Sequence, residues 1–250
     1  MGSGRTREHE LATLSRAVSR CRRCPRLVEW RERVAREPRA AFASERYWAR
    51  PLPGFGDPRA RVLLLGLAPA AHGGNRTGRV FTGDRSGDFL FAALHRCGFA
   101  NQPSSYSRDD GLQLRDAWIT AAVRCAPPAN RPTTAERDRC LAWSVRELQL
   151  LGDVRVVVCL GAFAWKAAFA VLSARGERAP DGSAIAALRP RPRFAHAAEL
   201  DAGRYALLGC FHPSQQNTFT GKLTAPMIDS VLSRARELAD IAARSPERAA

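Results

Sequence analysis

Lysine is nearly absent from this 250-residue chain: Lys166 and Lys222 are the only two among 39 basic residues, and all the others are arginines. The formal net charge is nevertheless +15, because only 24 residues are acidic. A GC-rich genome favours arginine codons and accounts for the choice of arginine over lysine, but it accounts poorly for so large an excess. Since arginine stays charged and its planar fork fits phosphate, the composition predicts a polyanionic partner.

A long hydrophobic run is missing as well, since none approaches the roughly 20 apolar residues that a membrane-spanning helix needs. Residues 1–10 are polar and charged and lack the apolar centre of a signal peptide. We therefore expect a cytoplasmic protein, in the cytosol or nucleoid of a bacterium, with no membrane partner. Thiols stay reduced in that compartment, so the seven cysteines indicate a metal or cluster site rather than disulfides.

Strand patterns alternate with helix patterns along most of the chain. Short apolar runs bounded by turn residues are typical of buried parallel strands, and apolar residues three or four apart are typical of amphipathic helices. The alternation predicts an α/β fold with a mostly parallel sheet covered on both faces, in one domain over residues 1–244 with a frayed tail over 245–250. The strands are expected at 61–67, 117–123, 154–160 and 204–209, and the helices at 7–20, from Ser86, at 134–151, after Gly161 and from 225.

Two segments fall outside this alternation. Residues 37–58 mix aromatics with proline and glycine, which indicates irregular structure. Residues 174–203 form a long insertion in which Arg189, Arg191 and Arg193 alternate with prolines. That insertion is either a solvated surface loop or a DNA contact, and the sequence favours the surface loop.

Four of the seven cysteines form two pairs. Cys21 and Cys24 make a Cys-x₂-Cys pair at a predicted helix end, and Cys125 and Cys140 form a wider pair far along the chain. Four thiolates suffice for Zn²⁺ or for a [4Fe–4S] cluster, and four unrelated cysteines remain the alternative. Cys97, Cys159 and Cys210 lie in apolar surroundings typical of small core residues.

The loops that follow the predicted strands carry two motifs, and ligands of parallel sheets bind at such loops. A glycine-rich loop begins with Gly66-Leu-Ala-Pro69, and a second loop begins with His212-Pro-Ser214. Together with the four cysteines, these motifs resemble the family 5 (UDGb-type) uracil-DNA glycosylases over nearly the whole chain, from Cys21 to the last helix. Leu67 and Ala68 stand where other branches carry a polar residue that positions water, and family 5 shares this feature.

The resemblance implies a three-layer α/β/α sandwich around a four-stranded parallel sheet. It also implies a monofunctional DNA N-glycosylase for base-excision repair. Such an enzyme flips uracil, and commonly hypoxanthine or other deaminated bases, out of DNA and hydrolyses the glycosidic bond. By the same resemblance, Cys21, Cys24, Cys125 and Cys140 hold a structural [4Fe–4S] cluster. Duplex DNA is the expected partner of a monomer, with single-stranded DNA left open.

Three side chains are the catalytic candidates by this resemblance. Asp84 ends the first loop and would stabilise the sugar cation, unless it only caps the following helix. His212 would donate a hydrogen bond to the departing base as a neutral imidazole, unless it only pins its loop. Asn130 resembles a polar residue that assists catalysis. No asparagine stands at 120–123, where many relatives read the uracil edge, which implies a broad substrate range.

The remaining assignments concern the base pocket and the DNA backbone. Phe81 would stack under the flipped base, with a core position as the alternative. The proposed base-pocket residues are Gly66, Ala68, His72, Gly73 and Phe81, and the proposed DNA contacts are Arg76, Arg79, Ser214, Gln215, Gln216, Asn217 and Lys222.

Two rival functions remain at this stage. A family 4 type glycosylase usually carries a glutamate where this chain has Leu67, which argues against that family. A non-catalytic nucleic-acid-binding protein, stabilised by a cluster or zinc, would share the charge and the cysteines. It would leave the paired loop motifs unexplained.

Overall fold

The computed structural model describes residues 2–244, so the expectation for residues 245–250 lies outside the described residues. Six strands form one sheet in the order β1-β3-β2-β4-β6-β5. The strands are β1 (Phe55–Gly56), β2 (Val62–Gly66), β3 (Ala117–Ala121), β4 (Val156–Leu160), β5 (Glu199–Ala202) and β6 (Tyr205–Cys210). The helices are α1 (Gly2–Ser19), α2 (Pro25–Arg36), α3 (Gly74–Thr77), α4 (Arg85–Arg96), α5 (Thr134–Leu150), α6 (Ala162–Ala174), α7 (Gln215–Phe219) and α8 (Ala225–Arg244).

The four predicted strands are β2, β3, β4 and β6, and all of them pair in parallel. The expectation of a four-stranded sheet is corrected to six, because β1 and β5 add antiparallel strands at the two edges. In the central strands β2, β3 and β4 every residue is buried, as a sheet covered on both faces requires. The carboxyl ends of these parallel strands all lie at the same end of the sheet.

Helices cover both faces of the sheet and make three layers. Leu64, Ile119 and Val158 point into a core that they share with α4 and α8. Leu63 and Val157, whose side chains alternate to the other face, pack in a second core with α5 and α6. The α/β/α arrangement is therefore confirmed.

Local signals explain where several helices begin. Thr133 and Glu136 form a reciprocal capping box at the start of α5. Pro25 occupies the first turn of α2, where its missing N–H costs nothing. The start of α4 differs from the prediction, because Asp84 and not Ser86 is its N-cap.

The arginine-rich insertion is docked on the domain and is not a free loop. It contains a 3₁₀ turn over Ile185–Ala187 and the edge strand β5, and Ile185 is buried. The indole Nε1 of Trp165 on α6 donates a hydrogen bond to the carbonyl of Pro192 at 3.0 Å. Among residues 2–244, no helix has the length and apolarity to cross a membrane.

Candidate active site

The two motif loops meet at the carboxyl edge of the sheet and line one cavity of about 330 Å³. We call this space the base cavity. The loop after β2 contributes one wall, the His212 loop after β6 contributes another, and Asn130 reaches it from the segment after β3. Its lining residues are Leu67, Ala68, Pro69, Ala70, Val80, Phe81, Asp84, Ser86, Asn130, His212, Ser214 and Gln216.

Phe81 forms part of the wall in a strained conformation. Its backbone φ is +55°, a left-handed region that costs a residue with a side chain roughly 1–2 kcal/mol. Its ring lies on Gly66, where a Cβ would come within 2.7 Å of the ring atom Cε2. The ring centroid is 5.8 Å from that of His212, with the two planes tilted by 36°. Strain held by tight surroundings is typical of a functional position, and this strain aims an aromatic ring at the cavity.

The two carboxylate oxygens of Asp84 make different contacts. Its Oδ1 accepts a hydrogen bond from the Gly87 N–H at 3.0 Å and so caps α4. Its Oδ2 lies so close to Gly73 that a Cβ on that glycine would overlap it. Burial raises the pKa of the Asp84 carboxyl, while the N–H groups of Gly87 and Ser86 act in the opposite direction. The capping role is therefore real, and the same carboxylate also borders the base cavity.

His212 faces the cavity as a neutral ring. Burial lowers the pKa of its imidazole to about 4, so the ring is uncharged at neutral pH. The loop is held through the backbone instead: the Asn217 side-chain amide donates to the His212 carbonyl at 2.8 Å. Gly161, which follows β4 with φ +98°, abuts the histidine, because a Cβ there would lie 3.3 Å from the His212 Cβ. Within residues 2–244 no protein group is hydrogen-bonded to the ring nitrogens, which leaves them available to a ligand.

Asn130 lies at the rim of the base cavity in an unusual turn. Both Ala129 and Asn130 have positive φ, +51° and +54°. Asparagine tolerates the left-handed region better than alanine does, so the backbone strain near the site falls mainly on Ala129. Asn130 is exposed and lines the base cavity and the cleft beside it.

A larger cleft of about 770 Å³ adjoins the base cavity, and we call it the outer cleft. The two spaces share Ala70, Asp84, Ser86, Asn130, Ser214 and Gln216. Of the sequence-predicted residues, His72, Gly73, Arg76 and Gln215 line only the outer cleft. Gly66 lies behind Phe81, and Ala68 lines only the base cavity.

Arg76 and His72 are held firmly in the wall of the outer cleft. The guanidinium of Arg76 donates to the carbonyls of His72 at 2.8 Å and Gly83 at 3.0 Å, and it pairs with Glu45. The His72 Nδ1 lies 2.9 Å from the Tyr47 hydroxyl. Burial, reinforced by nearby arginines, lowers the pKa of His72. Arg76 therefore ties His72 to Gly83 within the first loop, and its donors are already used inside the protein.

Arg79 does not reach the surface as a phosphate contact would have to. Its side chain is buried and forms an ion pair with Asp110 at 2.6 Å. It also donates to the Ser105 hydroxyl at 2.7 Å and to the Thr82 hydroxyl at 3.0 Å. The sequence-based assignment of Arg79 to the DNA backbone is corrected, because its donors are already used inside the protein.

The short helix α7 presents the residues that follow the His-Pro-Ser motif. Ser214 is its N-cap, and Gln215 and Gln216 are exposed along the outer cleft. Asn217 turns inward to the His212 carbonyl, and Lys222 is exposed with its Nζ 5.1 Å from the centre of the Phe211 ring. Neither Asn217 nor Lys222 lines the base cavity or the outer cleft.

The four paired cysteines, Cys21, Cys24, Cys125 and Cys140, line one small cavity, which has no lining residue in common with the base cavity. All four are free thiols. Burial raises the pKa of the Cys125 thiol to about 12, although the Arg31 guanidinium donates to its Sγ at 3.0 Å. Across residues 2–244, no group of three or more His, Cys, Asp or Glu side chains is arranged around a single ion.

Two of the other three cysteines are core residues, as the sequence predicts, and the third is only partly buried. Cys159 and Cys210 are buried in the core. Cys97 is half-buried, with its Sγ 3.7 Å from the Asp229 carbonyl.

Sequence reasoning missed several residues of the site. Tyr106 lines the outer cleft with its side chain exposed, and its backbone N–H is fixed by Asp110 at 2.7 Å. The sequence does give one signal for Tyr106, because it is an aromatic residue within a polar segment that is rich in turn-forming residues. Phe42 and Arg39 also line this cleft, and Gly161 makes room for His212. These residues come from distant parts of the chain, so no local motif joins them.

Comparisons with known proteins find similarity to uracil-DNA glycosylases. The family model described as "Uracil DNA glycosylase superfamily" matches residues 53–236. A type-5 uracil-DNA glycosylase of Mycobacterium tuberculosis (strain CDC 1551 / Oshkosh) is 53% identical over 234 residues, 92% of this chain and 82% of the relative. A type-5 enzyme of Thermus thermophilus is 50% identical over 226 residues, 90% of this chain and 96% of the relative. A type-4 enzyme of Pyrobaculum aerophilum is 27% identical over 173 residues, 69% of this chain.

Proposed function

The chain belongs to the uracil DNA glycosylase superfamily, and we propose that it is a DNA-repair enzyme that removes uracil from DNA by hydrolysing the N-glycosidic bond. The observation that carries this proposal is the convergence of Phe81, Asp84 and His212 on one cavity that is large enough to admit a base. The sequence identity of this chain to the type-5 relatives is about twice its identity to the type-4 relative, which supports an assignment to the type-5 enzymes.

Binding begins when the nucleotide leaves the duplex, at a cost of a few kcal/mol in lost stacking and pairing. The Phe81 ring offers a flat apolar surface in exchange, worth roughly 1–3 kcal/mol for a stacked base. Because the strained backbone of Phe81 and its contact with Gly66 fix the ring in advance, little ordering remains to be done when the base arrives.

Cleavage by a dissociative route leaves negative charge on the departing base. His212 is placed to donate a hydrogen bond to a base carbonyl as that charge grows. A neutral donor suits this task, since a buried imidazolium would first have to lose its hydration. Its ring nitrogens have no other partner among the described residues, so a base can use them.

The sugar develops positive charge in the same step. The Asp84 carboxylate borders the base cavity and would stabilise that charge, with one oxygen held by the cap of α4 and the other toward Gly73. A carboxylate fixed before the reaction does not need to reorganise during it. Asn130 at the rim would help hold the attacking water, since its amide lines both spaces.

Substrate range follows from the groups that face the base. The Thr120 hydroxyl on β3 is buried and bonded to Arg124, so it is not available to read a base edge. Of the lining residues, Asn130 and Gln216 carry the side-chain amides, and both lie at the shared rim. We propose that hypoxanthine and other deaminated bases are accepted as well as uracil.

DNA beyond the flipped nucleotide would lie over the outer cleft. Gln215 and Gln216 are exposed there and would occupy the space that the base vacates. Ser214 and Arg76 line the same cleft. Asn217 would act indirectly, by holding the His212 loop. Lys222 would contact a phosphate from the exposed end of that loop. We propose a monomer, with residues 1–244 acting as one domain.

We propose that Cys21, Cys24, Cys125 and Cys140 hold a [4Fe–4S] cluster. The donor set fits, since four free thiols from α1–α2, the loop after β3 and α5 line one cavity. Arg31, Arg124 and Arg139 surround them and would offset the charge of four thiolates. The cluster would be structural, tying α2 to the segment that carries Asn130.

The experiment that tests the function is an excision assay. The protein is incubated with a duplex containing one uracil, and the strand is then treated with hot alkali, which cleaves at abasic sites. Strand scission that depends on uracil supports the glycosylase. Intact DNA together with a gel shift would instead support the non-catalytic nucleic-acid-binding protein.

A further inference from the structure

A second cleft of about 760 Å³ lies outside the site described above. Four exposed arginines surround it, and two aromatic side chains, Trp48 and Phe55, form part of its wall. We call it the arginine groove, defined by Arg16, Arg20, Arg50, Arg108, Trp48 and Phe55.

The arginines of this groove outnumber the acidic side chains that line it. Within residues 2–244 none of its four exposed arginines forms an ion pair, whereas Arg61, Arg96 and Arg234 elsewhere each do. Asp57 also lines the groove and offsets part of this charge, and its two oxygens accept hydrogen bonds from the backbone N–H groups of Arg59 and Asp116. Four unpaired guanidinium groups together attract a polyanion.

Trp48 organises two of these arginines. The guanidinium carbon of Arg108 lies 4.5 Å from the centre of the indole ring, and that of Arg50 lies 5.6 Å from it. The ring is held in turn, because its Nε1 donates to the Pro51 carbonyl at 3.3 Å and its face abuts Gly78. Arginines that are stacked in advance lose less freedom when they bind phosphate.

The groove adjoins the outer cleft through two chain segments. Arg76 lines the outer cleft and Gly78, two residues later, lines the groove. Tyr106 lines the outer cleft and Arg108, two residues later, lines the groove. The ion pair between Arg79 and Asp110 joins these segments, and Arg79, although largely buried, also lines the groove. A nucleic acid lying in the outer cleft would therefore pass onto the groove.

From these observations we infer that the arginine groove binds the sugar-phosphate backbone of the DNA that flanks the damaged nucleotide. The inference rests on the proposed function for its ligand. The groove would supply affinity without base preference, because contacts to phosphates carry no sequence information. It takes no part in the chemistry at Asp84 and His212.

The test uses the double variant Arg20→Ala/Arg108→Ala, with Arg178→Ala/Arg244→Ala as the matched control. The control removes the same charge from exposed arginines that line neither cleft. Affinity is measured for a long uracil-containing duplex at several salt concentrations. Excision is measured in a single turnover on a short single-stranded oligonucleotide that covers only the uracil and its nearest neighbours.

We expect the groove variant to bind the long duplex roughly tenfold more weakly, with a salt slope lower by about 2, since each lost phosphate contact removes about 0.9. The control should keep both values, and both variants should excise uracil from the short oligonucleotide at the wild-type rate. Unchanged duplex affinity, or an equal loss in the control, would overturn the inference. Wild-type protein that binds duplex through the groove but excises nothing would refute the proposed function and leave the groove standing.

Discussion

Gly73 and Asp84 face each other so closely that a methyl group on the glycine would overlap the Asp84 Oδ2. The other carboxylate oxygen is fixed by the Gly87 N–H at the start of α4. The glycine-rich loop and the helix cap thus position one carboxylate between them. Gly73 has φ −98° and ψ −106°, outside the main regions that residues with a side chain adopt, so this contact and the backbone conformation both favour glycine there.

The variant Gly73→Ala tests that contact. The added methyl should push the carboxylate from its place, and we expect single-turnover excision to fall by at least tenfold while duplex affinity changes little. Gly152→Ala is the matched control, since a Cβ there meets nothing closer than 3.7 Å and φ is not positive. Equal rates for Gly73→Ala and wild type would show that the position of this carboxylate does not matter.

The variant Asp84→Asn separates the two roles of the carboxylate. Asparagine is as good an N-cap as aspartate, so thermal stability should be kept or should rise because a buried charge is gone. Excision should fall by roughly 10²–10³ if the charge stabilises the sugar cation. Because burial raises the pKa of Asp84, wild-type activity should decline with falling pH at a value above the ordinary aspartate pKa of about 3.9. Wild-type rates in the variant would leave only the capping role.

The neutral state of His212 predicts both a pH profile and a stability profile. The folded-state pKa of about 4 lies below the unfolded value of about 6.5. As pH falls through this window the unfolded chain binds the proton first, so the free energy of unfolding should decrease, and more in wild type than in His212→Asn. Excision should show no titration near pH 6.5, and His212→Asn should keep more activity than His212→Ala because an amide still donates. An activity step near pH 6.5 would contradict a neutral donor.

Removal of one cluster ligand should damage the fold more than the chemistry. Purified Cys140→Ala should lose iron, visible colour and thermal stability, whereas Cys97→Ala, which lies outside the cysteine cavity, should keep all three. Elemental analysis and a melting curve measure these outcomes. If the wild-type protein carries zinc and no iron, the site is a zinc site and not a cluster. If the Cys140→Ala variant is stable and keeps its iron, Cys140 is not a ligand.

The sequence predicts the parts of the fold that rest on long hydrophobic patterns. The four parallel strands and α5 are correctly placed because their apolar runs are unbroken and the helix has a capping box. The edge strands were missed, since β1 has two residues and β5 is mostly exposed. Helix α2 was missed although Pro25 and its apolar spacing gave a readable signal.

The site itself was only partly predictable. The motifs gave the two loops that line the base cavity, because both follow predicted strands. The assignment of Arg79 to the DNA backbone rested on its charge and its place beside the first motif. Its partner Asp110 lies 31 residues away in sequence, and no local pattern marks the pair. The positive φ of Phe81 and the unpaired arginines around Trp48 depend on three-dimensional packing, so neither was visible in the sequence.

The most direct test of the account is a crystal structure of the protein bound to a duplex that carries a non-cleavable uracil nucleotide. We predict the uracil in the base cavity, with its ring on Phe81, a carbonyl oxygen about 3 Å from a His212 ring nitrogen, and the sugar beside the Asp84 carboxylate. A uracil that remains stacked in the duplex, or that occupies a different cavity with Asp84 facing away from it, would contradict the account.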